Sequence, residues 1–114
     1  MEDCIFCKII AGEIPSKKIF EDDRVVAFYD IDAKAPVHFL VIPKKHIGSI
    51  LELGGEDGEL VAHVFEVIKK LAAELEIADD GFRVVINTGE NGGQTVHHLH
   101  FHILGGRNLE WPPG

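Results

Sequence analysis

The chain has 114 residues, the size of one domain, and 46% of them are hydrophobic against 26% charged, a globular balance that excludes a disordered or collagen-like chain. Nineteen acidic residues outweigh eleven basic ones, for a formal charge of −8 with histidines neutral, which argues against a nucleic-acid partner. No apolar run approaches the roughly 20 residues of a membrane span, and the acidic start Met1-Glu2-Asp3 lacks the positive charge of a secretory signal, so a cytoplasmic protein with no membrane partner is expected.

Residues 4–11, CIFCKIIA, read as a short helix that Gly12 closes and Pro15 keeps from continuing. Cys4 and Cys7 are the only cysteines. In a chain with no sign of secretion, their C-x-x-C spacing suggests metal or redox chemistry rather than a disulfide framework. Residues 17–21 and 24–31 are rich in Ile, Val, Phe and Tyr, and Glu21-Asp22-Asp23 supplies turn residues between them, so a β-hairpin is expected. The dense apolar run 37–42 (VHFLVI), ended by Pro43, reads as a buried strand.

From Glu56 the period changes. Leu60, Val64, Ile68, Leu71 and Leu75 recur at helical spacing, with Glu56, Asp57 and Glu59 in the first turn, and predict one long helix. Its apolar arc also takes in Val61, Phe65, Val67 and Ala72, wider than one sheet contact needs. A second face against a dimer partner and a broad helix–sheet contact both fit that pattern. Asp79-Asp80-Gly81 reads as a turn, 82–87 as a strand, 89–95 (GENGGQT) as a glycine-rich loop and 96–104 (VHHLHFHIL) as the last strand. A C-terminal tail, 107–114, ends in Trp111-Pro112-Pro113-Gly114. Short connections favour antiparallel pairing. The expected fold is a single α+β domain over 1–114, a mainly antiparallel five-stranded sheet with one long and one short helix.

Of seven histidines, His97, His98, His100 and His102 fall within six positions. On a strand over 96–104, alternation turns Leu99, Phe101 and Ile103 to the core and His98, His100 and His102 to the opposite face, with His97 on the other side. Successive members of that row stand ~7 Å apart, too far for direct hydrogen bonds but close enough to surround one phosphate-sized group. A neutral imidazole serves as base, nucleophile, donor or metal ligand, so three at strict alternation favour a site over a solvated strand face. The preceding loop adds Gly89, Gly92 and Gly93, whose amides can approach an anion, and the donors of Gln94 and Thr95.

The run His98-Leu99-His100-Phe101-His102-Ile103-Leu104 matches the pattern in which three histidines alternate with hydrophobic residues and two hydrophobic residues follow. The chain resembles the histidine triad (HIT) family. Over nearly its whole length, KIIAGEIPSKKIFEDDRVVAFYDI, APVHFLVIPKKHI, GGQTVHHLHFHILGGR and WPPG are similar to the Hint branch of nucleoside phosphoramidate hydrolases. The resemblance implies a small nucleotide-binding fold, a homodimer whose sheet continues across the interface, and hydrolysis at the α-phosphorus of purine nucleoside phosphoramidates.

It also implies roles. His100 becomes the nucleophile that forms a covalent nucleotidyl-imidazole, held in the right tautomer by the His98 carbonyl. His102 contacts the phosphate, and His38 is the outlying histidine of the network. Thr95 stands where serine is frequent; it keeps the hydroxyl for the phosphate and leaving amine and adds a methyl that restricts the rotamer. Asn87, Gly93 and Gln94 fall at phosphate-side positions. Asp30 falls at the ribose carboxylate, able to accept from both sugar hydroxyls. Ile5, Phe6, Ile9, Phe28 and Ile31 fall at the apolar slot for the base, and the Trp111 tail is expected near the partner subunit's site.

Cys4 and Cys7 with His46 and His98 make four nitrogen and sulfur ligands, the set of a closed tetrahedral zinc site. Some histidine triad proteins carry such a site, although many of the Hint branch lack the cysteines. A structural Zn2+ that fixes His98 is therefore expected, with no cofactor needed for the chemistry. A redox pair fits less well, because no strand precedes Cys4. Two other functions compete: a dinucleoside polyphosphate hydrolase or nucleotidyl transferase of the same family, and a non-catalytic nucleotide-binding adaptor.

Overall fold

A computed structural model describes residues 3–114, so the acidic start at Met1 and Glu2 lies outside the described residues. Five antiparallel strands form one sheet: β1 (Lys18–Glu21), β2 (Val25–Tyr29), β3 (Val37–Pro43), β4 (Phe82–Val85) and β5 (Phe101–Gly105). Their spatial order is β1-β2-β3-β5-β4. The tight Asp22–Val25 turn makes the first hairpin, with the Asp22 carboxylate accepting the N–H groups of Arg24 and Val25 at 2.8 and 2.9 Å.

Strand alternation sends side chains to two different covers. Val25, Ala27, Phe39, Val41, Phe101 and Ile103 point to one face, where α2 (Gly58–Glu74) lays down Val64, Val67, Ile68 and Leu71. Val26, Phe28, Leu40 and Ile42 point to the other, where α1 (Ile5–Ile10) contributes Phe6 and Ile9. A six-residue helix is only about 9 Å long. It cannot cover that whole face, and the surface carrying His38, His102, Val85 and Leu104 stays open as a cleft.

The fold class is the one expected, and the boundaries shift. The long helix begins at Gly58 rather than Glu56, because residues 50–52 and 55–57 form tighter 3-10 turns first. There the buried Asp57 carboxylate takes the Gly54 N–H at 2.9 Å and the Lys45 ammonium at 2.7 Å. The strand expected over 82–87 stops at Val85. The one expected over 96–104 is β5, which starts only at Phe101. The register pairs Val41 with Phe101, so continuing it would set Pro43 opposite Leu99. Proline has no N–H to extend the ladder, its carbonyl accepts the His98 ring instead, and the Leu99 N–H turns to the Ile47 carbonyl.

Along α2, Phe65 is 42% exposed although its ring meets Phe101 edge-on at 5.7 Å, and Val61 is half-buried. Part of the wide apolar arc is thus uncovered within the chain. Residues 107–114 carry no helix or strand. Among the described residues, no helix is long and apolar enough to cross a membrane.

Candidate active site

Leu99, Phe101 and Ile103 face the core as expected, but the histidines do not stand as one row. His100 and His102 are neighbours, with ring centroids 5.0 Å apart, closer than the ~7 Å backbone repeat because the rings lean together. The His98 ring turns away, fully buried, and does not line the cleft. This corrects the expectation that all three surround one phosphate.

Backbone groups decide which nitrogen of each ring carries the proton. The His98 carbonyl lies 2.6 Å from His100 Nδ1; a carbonyl only accepts, so Nδ1 is protonated and Nε2 keeps its lone pair. The Pro43 carbonyl accepts from His98 Nε2 at 2.9 Å, which keeps the proton on that atom and leaves His98 Nδ1 bare. At His38 the sense is reversed. The Lys34 N–H donates to His38 Nδ1 at 3.0 Å, so the proton sits on Nε2, which donates to His102 Nδ1 at 3.0 Å. His102 then carries its proton on Nε2. Asp30 closes the group, with Oδ2 3.4 Å from His38 Nε2 and 3.8 Å from His102 Nδ1.

Burial pushes the pKa values of His38, His98 and His100 below the usual histidine range. His102 goes down to about 4, through burial first and then the neighbouring His100 and His38. These rings are therefore neutral at pH 7.

The cleft holds about 440 Å³ and is lined by Asp30, His38, Asn87, Gly93, Thr95, His100 and His102 among others. Gly93 has φ +80°, a left-handed conformation that glycine adopts without strain. A second, more apolar hollow shares Asp30, Thr95, His100 and His102, and is walled by Ile5, Phe6, Ile9, Phe28 and Ile31. One arm offers polar groups and the other a flat apolar slot, and they meet at the two histidines.

A HIT domain model matches residues 11–109. The chain belongs to the HIT domain family. It is 53% identical to an uncharacterized HIT-like protein of Synechococcus elongatus over 113 residues, covering 99% of this chain and 98% of that one. Among solved structures it is similar to a HIT family hydrolase from Legionella pneumophila, at 48% identity and a TM-score of 0.97, covering 98% of this chain and all of the other. A histidine triad protein from Clostridium difficile gives 51% identity and a TM-score of 0.93 over 96% of each chain.

In this HIT domain the sequence-predicted nucleotide residues gather around the two hollows, with one exception. The Gln94 side chain is turned into its own loop. Its Oε1 accepts the Gly89 N–H at 3.0 Å, and its Nε2 donates to the carbonyls of Gly48 and Val96 at 2.7 and 3.0 Å. Gln94 therefore positions the loop that carries Gly93 and Thr95 rather than facing the cleft. The Lys34 N–H was not foreseen; a backbone donor leaves no signal in residue type. Trp111 is 80% exposed and touches neither hollow.

The four predicted metal ligands converge. Cys4 Sγ lies 3.3 Å from His98 Nδ1, Cys7 Sγ 3.3 Å from His46 Nδ1, and the two Nδ1 atoms lie 3.1 Å apart. All four donors fall within 4.8 Å of one another. A tetrahedron with zinc bonds of roughly 2.0–2.3 Å has edges of about 3.3–3.8 Å, so this donor set fits. The bare Nδ1 of His98 faces the cluster, the tautomer that a metal requires.

Proposed function

We propose that this HIT domain hydrolyses purine nucleoside phosphoramidates through a nucleotidyl-histidine intermediate. The observation that carries the reading is His100, whose Nδ1–H is held on the His98 carbonyl at 2.6 Å at the junction of the apolar and polar arms. Its Nε2 lone pair attacks the α-phosphorus, the P–N bond breaks, and the amine leaves with a proton relayed from solvent water through the Thr95 hydroxyl. Water then attacks phosphorus and gives its proton back to solvent, freeing His100 and a nucleoside monophosphate. As Nε2 forms its bond the ring becomes cationic, and the carbonyl already in place stabilises that charge without rearrangement.

The other residues follow from the same pose. His102 donates its Nε2–H to a non-bridging oxygen, and Asn87 and the Gly93 amide add donors. Asp30 accepts from the ribose hydroxyls, and Ile5, Phe6, Ile9, Phe28 and Ile31 enclose the base. In support, the similar Legionella pneumophila protein is described as a hydrolase, and a Candida albicans structure, 35% identical with a TM-score of 0.82, as a histidine triad nucleotide-binding protein.

Cys4, Cys7, His46 and His98 would hold a structural Zn2+. With four protein donors it supplies no open position for water, and its contribution is rigidity at His98. A homodimer is supported by the half-exposed Phe65 and Val61 on α2 and by β4, an edge strand with one unpaired side.

Intact-mass spectrometry after brief incubation with adenosine 5′-phosphoramidate tests the reading. The expected result is a transient adduct of one AMP and released AMP in the wild type, and neither in His100→Ala. Absence of both from the wild type overturns it and brings forward the polyphosphate and adaptor functions.

A further inference from the structure

The sheet face that carries His102 does not end at the phosphate position. Register sets Val85 opposite His102 and Arg83 opposite Leu104. Phe82 and Val84 pack on the core, so Arg83 and Val85 share the histidine face. From Val85, Asn87 and Leu104 the cleft opens into a further hollow of about 590 Å³, bounded by Arg83, Arg107 and the tail. With the base in the apolar slot and phosphorus at His100, this polar arm is where a leaving group extends.

Charge distinguishes the end of that arm. In a chain of net charge −8, neither Arg83 nor Arg107 has a carboxylate within 4.0 Å among the described residues, whereas Lys34 is paired with Asp32 at 2.6 Å. Both guanidinium groups are instead fixed by neutral carbonyls. Arg83 Nη2 donates to the Glu110 carbonyl at 2.9 Å, and Arg107 donates to those of Asn108 and Lys34 at 3.1 and 2.9 Å. Such anchors orient the planar forks while leaving their charge and remaining N–H donors unused. An oriented, unneutralised guanidinium matches a carboxylate in shape and sign.

Building on the phosphoramidate reading, we infer that Arg83 and Arg107 form a subsite for a free carboxylate borne by the leaving amine, so that a leaving group carrying that charge is preferred over its neutral counterpart. Arg83 lies two residues, about 7 Å, along the strand from the level of His102. A short carbon chain between nitrogen and carboxylate spans that distance.

The test compares AMP joined through a P–N bond to 4-aminobutyrate with AMP joined to the matching amide. In the wild type, kcat/KM favours the acid by roughly tenfold at low salt, the difference lies in KM, and the preference shrinks as sodium chloride is raised. Arg83→Gln brings the ratio close to one, and Arg83→Lys keeps part of it. Equal kcat/KM for the two substrates in the wild type, or a preference that is independent of salt and survives Arg83→Gln with Arg107→Gln, overturns the inference while leaving phosphoramidate hydrolysis standing. Cleavage of neither substrate, nor of adenosine 5′-phosphoramidate, overturns both.

Discussion

His98 holds His100 with its backbone and faces Cys4 and Cys7 with its ring: the carbonyl takes the His100 Nδ1–H at 2.6 Å, while Nδ1 of His98 itself lies 3.3 Å from Cys4 Sγ. The His100 ring and the cysteine cluster are thus linked through a single residue. The residue whose ring meets the cysteines is also the one whose carbonyl fixes the His100 tautomer. Stability at the cluster and reactivity at the cleft are therefore separable only through substitutions that spare His98.

In the proposed mechanism His100→Ala removes the attacking nitrogen, so AMP release should fall at least about 10³-fold. The His98 carbonyl then loses a buried partner, at a cost of about 1–2 kcal/mol. Thermal melts and AMP assays run side by side check this; a variant that is inactive because it is unfolded would contradict the assigned role.

His38→Leu leaves His102 Nδ1 without its donor, so the ring no longer holds one tautomer. AMP release should fall by about 10- to 100-fold, while the AMP adduct on His100 still forms, more slowly. An unchanged rate would show that His102 needs no orienting neighbour.

Protein purified without chelator or metal-affinity column should contain close to one zinc per chain by emission spectroscopy. Cys4→Ser should lose the metal and lower Tm by roughly 5–10 °C, with a smaller effect on turnover than His38→Leu. Cobalt substitution gives a thiolate charge-transfer band in the wild type that disappears in the variant. Less than roughly a tenth of a zinc per chain would count against the site.

Stability should fall on mild acidification. His102 titrates at about 4 in the folded chain against 6.5 for an ordinary histidine, and burial also lowers His38. Below pH 6.5 the unfolded chain takes up these protons first, so stability is full above that value and is lost as pH falls toward 4. His102 alone accounts for on the order of 3 kcal/mol of it. Urea unfolding at pH 7.5 and pH 5 measures the loss, and His102→Gln should flatten the slope.

Phe65→Glu places a charge on the half-exposed part of α2. Sedimentation velocity should give twice the 12.6 kDa chain mass for the wild type and a shift toward the single chain for the variant. An unshifted dimer would move the interface elsewhere, with the β4 edge next to test.

Much of this was legible because it follows from period. The 3.6-residue repeat from Leu60 to Leu75 marked α2, and alternation around His100 separated the core residues Leu99, Phe101 and Ile103 from the histidines. Period reports which way a side chain faces, but not whether its backbone is paired. Residues 96–100 alternate without a ladder because Pro43, far away in sequence, cannot donate to it. Side-chain direction also hid the difference between His98 and its neighbours, since the ring can turn either toward the cleft or toward Cys4. The inward Gln94 amide depends on the path of the Gly48 segment, which no local pattern reveals.

The protons of the His38, His98, His100 and His102 rings are placed by the carbonyls of Pro43 and His98 and the amide of Lys34. These atoms are common to most amino acids. Exchanging the Lys34 side chain leaves its amide in place, so genetic drift there is silent for the tautomers of His38 and His102. What would disturb them is a proline at 34 or an insertion in residues 32–37, changes of chain path rather than of side-chain chemistry.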